Sequence, residues 1–317
     1  MKIDRAQIVI CGAGIAGVSA AYFLAVKHGL KDIVLLDERP PLSLTSDHST
    51  ECYRNWWPGP GEAMVSLMNR SIDWLEELAN QSKNVFHLNR RGYLYCSANP
   101  QQALDMQKQA EQIAQLGAGE LHIYERSSPG IAYQPEPVAG FSQPLHGADL
   151  LLNQQLIHPH YPYLSQDVIA ALHVRRAGWV SAQQLGMYLL EQARLAGVKV
   201  ISGKVIGIET QAGHVHNVVL ENGNQIQTQA AVLAAGPLLD EAAAWLGIQV
   251  PIHNELHLKV AFTDAAKMLP RHAPLVIWND PQKLPWNRDE IEFLEQDEQL
   301  KFLDRKSTRL NSSHVSQ

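Results

Sequence analysis

The sequence predicts an α/β fold: a doubly wound, Rossmann-like dinucleotide-binding domain with a second, α+β domain interleaved into it. Three observations carry this. An apolar strand runs directly into Gly12, Gly14 and Gly17 and then into an apolar helix. A second apolar strand ends on a carboxylate, Asp37, about 20 residues after the last of those glycines. After a long mixed stretch, the chain then returns through a helix, paired strands and the run AAVLAAG. At 317 residues the chain exceeds what a single core ordinarily serves, so one large or two interleaved domains are expected.

Taken in order, Ala6–Cys11 reads as a buried strand, Ile15–His28 as a helix and Asp32–Asp37 as a second buried strand, a βαβ opening with parallel strands. The uncharged run Ile8–Val26 has about the length of a membrane span. Its clustered glycines, the charges at Lys2, Asp4, Arg5 and Lys27, and the strand that follows favour a strand, tight turn and buried helix instead. The loop ERPPLSLTSDHSTECYRNWWPGPG comes next, and an unstructured loop of that length inside a domain is more often functional than idle. Met64, Leu67, Met68, Ile72 and Leu75 give Glu62–Leu78 helical spacing. FHLNRRGYLYCS alternates like a strand, Pro100–Leu116 is an amphipathic helix, and His122–Pro162 reads as irregular. A helix over Ser181–Ala196 stops at Gly197. Strands Val198–Ser202 and Val205–Glu209, a hairpin turning at Asn222 and Gly223, and a buried strand ending in Gly236 follow. HNELHLKVAFTDA reads as a strand with His257 and Lys259 on one face. A strand, a Pro/Trp loop and an acidic helix complete the run to Leu303.

The chemistry lies in the stretch Gly12, Ala13, Gly14, Ile15, Ala16, Gly17, a GxGxxG between strand and helix. Its glycines permit a tight turn, close approach of backbone to a pyrophosphate and close helix-to-strand packing. The helix start offers free N–H groups and the positive end of its dipole to phosphates. Asp37, or Glu38 beside it, is placed to accept hydrogen bonds from ribose hydroxyls. The charge balance of 26 Lys+Arg against 32 Asp+Glu, without a basic cluster, argues against a nucleic-acid partner. Cys11, Cys52 and Cys96 lack ligand spacing, so no metal site is expected, and the cysteine usage suits a reducing cytoplasm. No Gly-x-Ser-x-Gly elbow supports a serine hydrolase.

The fingerprint together with the later return, from the helix after Gly178 to VLAAGP, resembles the FAD-binding domain of the D-amino-acid oxidase, glycine oxidase and sarcosine oxidase family over Ala6 to about Ala261. The resemblance implies a discontinuous FAD-binding domain of glutathione-reductase type over residues 1–85 and 170–245, and a substrate or cap domain over 86–169 and 246–303. It implies that Gly12, Gly14 and Gly17 meet the FAD pyrophosphate and that Asp37 meets the adenosine ribose. Val205 would offer a backbone contact to adenine, and Gly236 a close backbone approach. Thr45, Ser46 and Ser49 would be donors beside the pyrophosphate and flavin. The reaction implied is oxidation of a C–N bond in a small amine or amino acid, with a hydride equivalent passed to the flavin and the imine hydrolysed. An amino-acid carboxylate calls for a cation, and Arg54, beside Tyr53 in the flavin-side loop, is a candidate; a loop-packing Arg is the alternative. His257 and Lys259 are catalytic candidates on the strand over the flavin, against a solvated strand face. Another flavin- or NAD-dependent oxidoreductase, or a non-catalytic dinucleotide-binding fragment, would share the opening fingerprint.

Two features after Ala261 bear on the last alternative. The family's final Gly-rich return to the flavin has no match there, so a C-terminally truncated chain is expected. Residues 304–317 are expected to be non-native, because Asp304–His314, DRKSTRLNSSH, can be written back into codons that resemble an in-frame sequencing adapter.

Overall fold

The computed structural model describes residues 3–125, 132–136, 140–142, 145–254, 259–261, 263–281 and 286–296. The tail 304–317 and His257 lie outside the described residues. The chain divides into two compact units, one of residues 1–52, 76–88 and 179–263, the other of 53–75, 89–178 and 264–317.

The first unit is built on four parallel strands in the order Ala230–Leu233, Ile8–Cys11, Ile33–Asp37, Lys199–Ser202. Register places Ile10 between Val232 and Leu35. Both faces of the central strands are covered, which is why they read as continuous apolar runs rather than alternating ones. Val9, Cys11, Val34 and Leu36 form one face and pack against Ile208, Val218, Leu220 and Ile226 of an antiparallel meander, Val205–Gln211, His214–Leu220 and Gln225–Gln227. The alternate residues face the helix Ile15–Tyr22, which continues as a wider turn over Phe23–Lys27 and packs against the helix Ala182–Leu195. Ser181 caps that second helix by accepting from Gln184 N–H at 3.3 Å, and Gly197 ends it at φ 101°. The expected stop at Gly197 and the turn at Asn222 and Gly223 are therefore both observed.

The second unit holds a mixed five-stranded sheet in the order Leu275–Trp278, Tyr93–Ser97, Ala170–Val174, Ala148–Leu151, Leu121–Tyr124. Its outer pairs are parallel and its inner pairs antiparallel. Asn99 caps the helix Pro100–Ile113, its side chain accepting from Gln101 and Gln102 N–H. Leu121–Tyr124, Ala148–Leu151 and the helix Gln154–His160 correct the expectation of an irregular 122–162. These strands have four residues each and lie far apart in the sequence, so neither shows a usable period. The sequence HNELHLKVAFTDA was expected to be a strand. Its described residues 253–254, 259–261 and 263–265 carry none, and Val260 is 68 % exposed.

A buried polar network crosses this second sheet. His173 Nε2 lies 3.0 Å from the Arg91 carbonyl, which can only accept, so Nε2 donates and Nδ1 accepts from the Tyr133 hydroxyl at 2.8 Å. With its proton committed to His173, Tyr133 accepts from the Tyr161 hydroxyl, which also lies 3.2 Å from Glu136 Oε2. Burial, and then the Arg175 guanidinium, hold the His173 pKa well below its ordinary value, while the bond to Arg91 opposes them. His173 is thus neutral when folded but takes up a proton when unfolded below its ordinary pKa, so stability falls as pH drops through that window. Between about pH 7.5 and 5.5 the loss from this group is expected to be about 1.4 kcal/mol. Urea unfolding at both pH values should show that loss in the wild-type chain and not in His173→Gln; equal losses in the two would remove His173 as the source.

Candidate functional site

The strand Ile8–Cys11 ends at Gly12, whose φ of 108° lies in the region open chiefly to glycine. A Cβ there would sit 2.2 Å from the Ala234 carbonyl, where the strand Ala230–Leu233 comes alongside. At Gly17 a Cβ would sit 1.8 Å from the Gly12 carbonyl, so the helix can lie on the turn only with hydrogen at that position. Gly14 is different. The nearest group to its missing Cβ is the Ser46 hydroxyl at 3.4 Å, and its bare backbone faces a cavity.

Asp37 ties the second strand to this turn. One carboxylate oxygen accepts from Ala13 N–H at 2.7 Å and the other from Arg39 N–H at 2.9 Å. A carboxylate has roughly four acceptor positions, so the orientation is fixed by two bonds while two positions stay open to hydroxyl donors. Glu38 lines the cavity beside it. The loop that follows is clamped from several sides. Leu42, at the strained φ of 65°, donates its N–H to the Ala13 carbonyl at 2.9 Å. The side chain of Gln183 donates to the Leu42 carbonyl at 2.9 Å and to Asp47 at 2.8 Å. Ser46 is buried and its hydroxyl accepts from Ile15 N–H at 3.0 Å, satisfying one of the free donors of the helix start.

Together these elements line a cavity of about 360 Å³, within the range of roughly 300–1,000 Å³ of small-ligand sites. Gly12, Gly14, Asp37, Glu38, Thr45 and Ser46 form one part of its wall, and Val205 and Gly236 another. Ala13, Ile15 and Gly17 act through backbone bonds and packing, whereas Ala16 is exposed and does not line the cavity. Ser49 is exposed and does not line the cavity; its carbonyl accepts from Lys259 Nζ at 2.8 Å, which joins two residues singled out in the sequence. Burial pushes the Cys11 thiol up to about 12, so the cavity floor is uncharged there.

Tyr53 and Arg54 belong to the second unit. The Tyr53 hydroxyl donates to the Asn89 carbonyl at 2.6 Å. Arg54 is buried with its guanidinium 3.8 Å over the Trp57 ring, and its Nε has no hydrogen-bond partner among the described residues.

An open backbone strip at Gly14, a helix start with only its Ile15 N–H taken up by Ser46, and a carboxylate with open acceptor positions fit the adenosine diphosphate half of a dinucleotide. Residues 7–284 match the family of FAD dependent oxidoreductases. The chain belongs to that family. It is 24% identical over 277 residues to the mitochondrial dimethylglycine dehydrogenase of Rattus norvegicus, a match covering 86% of this chain and 28% of that protein. Among solved structures, L-proline dehydrogenase from P. horikoshii superposes with a TM-score of 0.63 at 20% identity, covering 79% of this chain and 58% of that one. Glycine oxidase from Bacillus cereus gives a TM-score of 0.59 at 17% identity, with 76% and 58% covered. The chain thus spans about a quarter to somewhat over half the length of these relatives. The family and the mixed α/β fold implied by the sequence resemblance are both borne out. Among the described residues, no helix is long and apolar enough to cross a membrane, and no group of His, Cys, Asp and Glu is arranged to hold a metal.

Among the cavity residues that were not anticipated are Leu238, Glu241, Ala242 and Trp245. The signal was present, because after VLAAGP their spacing places them on one helical face.

Proposed function

We propose that the first unit binds FAD and that the chain belongs to an enzyme oxidising a C–N bond of a small amine or amino acid. The cavity at the strand–glycine–helix turn, with Asp37 anchored to Ala13, carries this reading. Gly12 and Gly14 would admit the pyrophosphate against bare backbone, and the N–H groups of the helix start would face its charge. Asp37 would accept from the ribose hydroxyls, and Val205 and Gly236 would line the approach of the cofactor. When bound, the flavin supplies a two-electron acceptor for the amine.

The second unit would bind the substrate. Arg54 is the candidate partner for an amino-acid carboxylate, supported by its buried, unbonded Nε and by the stacking that fixes its plane. The bond from Tyr53 to the Asn89 carbonyl assigns that hydroxyl to holding the loop. Lys259 would brace the loop at Ser49 beside the cofactor. The Tyr53 hydroxyl is already engaged within the fold, and this favours a second reading in which the chain binds the dinucleotide without turnover.

Purified chain is expected to be yellow, with a flavin spectrum that bleaches anaerobically on addition of one member of a panel of glycine, N-methylglycines, proline, and D- and L-amino acids. Flavin that binds and is never bleached would favour the second reading. Colourless protein that retains NADH would sink both.

A further inference from the structure

The wall of the cavity opposite the fingerprint in sequence has its own pattern. Leu238, Glu241, Ala242 and Trp245 all line it, and the spacing i, i+3, i+4, i+7 is one face of a helix. The backbone agrees: Gly236–Leu238 makes a single tight turn, Leu239–Ala244 is helical, and Trp245 continues it with φ −59° and ψ −24°. Trp245 is half-buried and packs, with Val205 and Leu246, against the cluster beneath the meander. It is the one aromatic residue among those lining the cavity.

We propose that Trp245 is the stacking platform for the purine of the bound dinucleotide. The inference rests on the FAD reading and assigns this helix to its adenine end. The polar groups of the cavity are divided in a way that orients the ligand. Thr45 and Ser46 gather at Gly14 and Gly236, where phosphate charge needs donors. Asp37 holds the ribose position, and Val205, Ile206, Ala242 and Trp245 add apolar surface to the wall, flanked by the charged Lys204 and Glu241. A flat aromatic base has a π-face to present there, and a half-exposed indole is the group best suited to meet it. Packing of Trp245 against the meander cluster fixes one side of the ring environment before the ligand arrives, so little side-chain freedom is lost on binding.

The test is the affinity of the purified chain for ADP, measured calorimetrically, in wild type, Trp245→Phe and Trp245→Leu, with unfolding curves for each. Trp245→Leu is expected to weaken ADP and FAD together by about tenfold, and Trp245→Phe, which keeps an aromatic face, by about threefold or less. ADP should also quench tryptophan emission in the wild type, and the quench should vanish in Trp245→Phe. Equal ADP affinity in all three proteins, with changes confined to unfolding, would overturn the proposal; so would a quench that persists in Trp245→Phe, or no ADP binding by the wild type. Tryptophan-dependent ADP binding without FAD binding would uphold Trp245 and sink the FAD reading instead.

Discussion

Gly17→Ala is expected to remove cofactor retention and to destabilise the first unit by about 3 kcal/mol, although glycine to alanine inside a helix ordinarily stabilises by about 1 kcal/mol. The reversal has a geometric cause. The new methyl group would stand 1.8 Å from the Gly12 carbonyl oxygen and 3.3 Å from the Ala234 Cβ. The first obstacle is backbone, held by the Gly12 N–H donating to the Leu36 carbonyl at 2.7 Å, so a side-chain rotation cannot relieve it. The helix must lift from the strand, or the turn must open. Either movement displaces Gly14 and the Ala13 N–H that holds Asp37, and so the backbone strip and the carboxylate move together. Gly207→Ala is the matched control, because a Cβ there has nothing within 4 Å, and its cost should stay within about 0.5 kcal/mol. Urea midpoints and flavin content after gel filtration measure both effects. A Gly17→Ala chain that unfolds with the Gly207→Ala control and keeps its flavin would show that the helix does not need this close approach.

The difference between local and long-range encoding decides how much of this was legible. Gly12, Gly14, Gly17 and Asp37 could be read directly, because strand, turn and helix are adjacent and the chemistry of each position follows from spacing. Val205 and Gly236 line the same cavity, yet no local pattern marks them; they were reached through family resemblance alone. Trp245 was missed because the helix it ends, Leu239–Ala244, is only six residues long and follows a single tight turn that contains Pro237. In the second unit, Ala170–Val174 is buried at every position, and Tyr93 meets Val174 across most of that unit's sequence, so neither alternation nor neighbouring turns reveal the pairing. At HNELHLKV the period-two alternation is genuine, but its described residues 253–254 and 259–260 lie in no strand, and alternation alone does not make a sheet.

The network beneath that second sheet yields the other large expected effect. Arg175→Met should cost about 3–5 kcal/mol, most of it from stranding a carboxylate rather than from losing an attraction. Arg175 and Asp149 are 3% and 7% exposed at their side chains and are bonded through the guanidinium Nε and Nη2. Arg175 Nη2 also donates to the Gln134 carbonyl at 2.6 Å, and its guanidinium stands 5.0 Å from the Tyr133 ring centre. Removing it leaves Asp149 with the Tyr124 hydroxyl and with His122, whose Nδ1 lies 3.1 Å away and whose side chain is 41% exposed. An imidazole and a phenol do not replace a buried guanidinium. The double variant Asp149→Leu, Arg175→Met removes both charges and should regain most of the loss, since the two sites share one interaction and their effects cannot add. Unfolding of the wild type, both single variants and the double variant completes the cycle. A double variant as unstable as the sum of the singles would mean that packing around each side chain, and not the stranded charge, sets the cost.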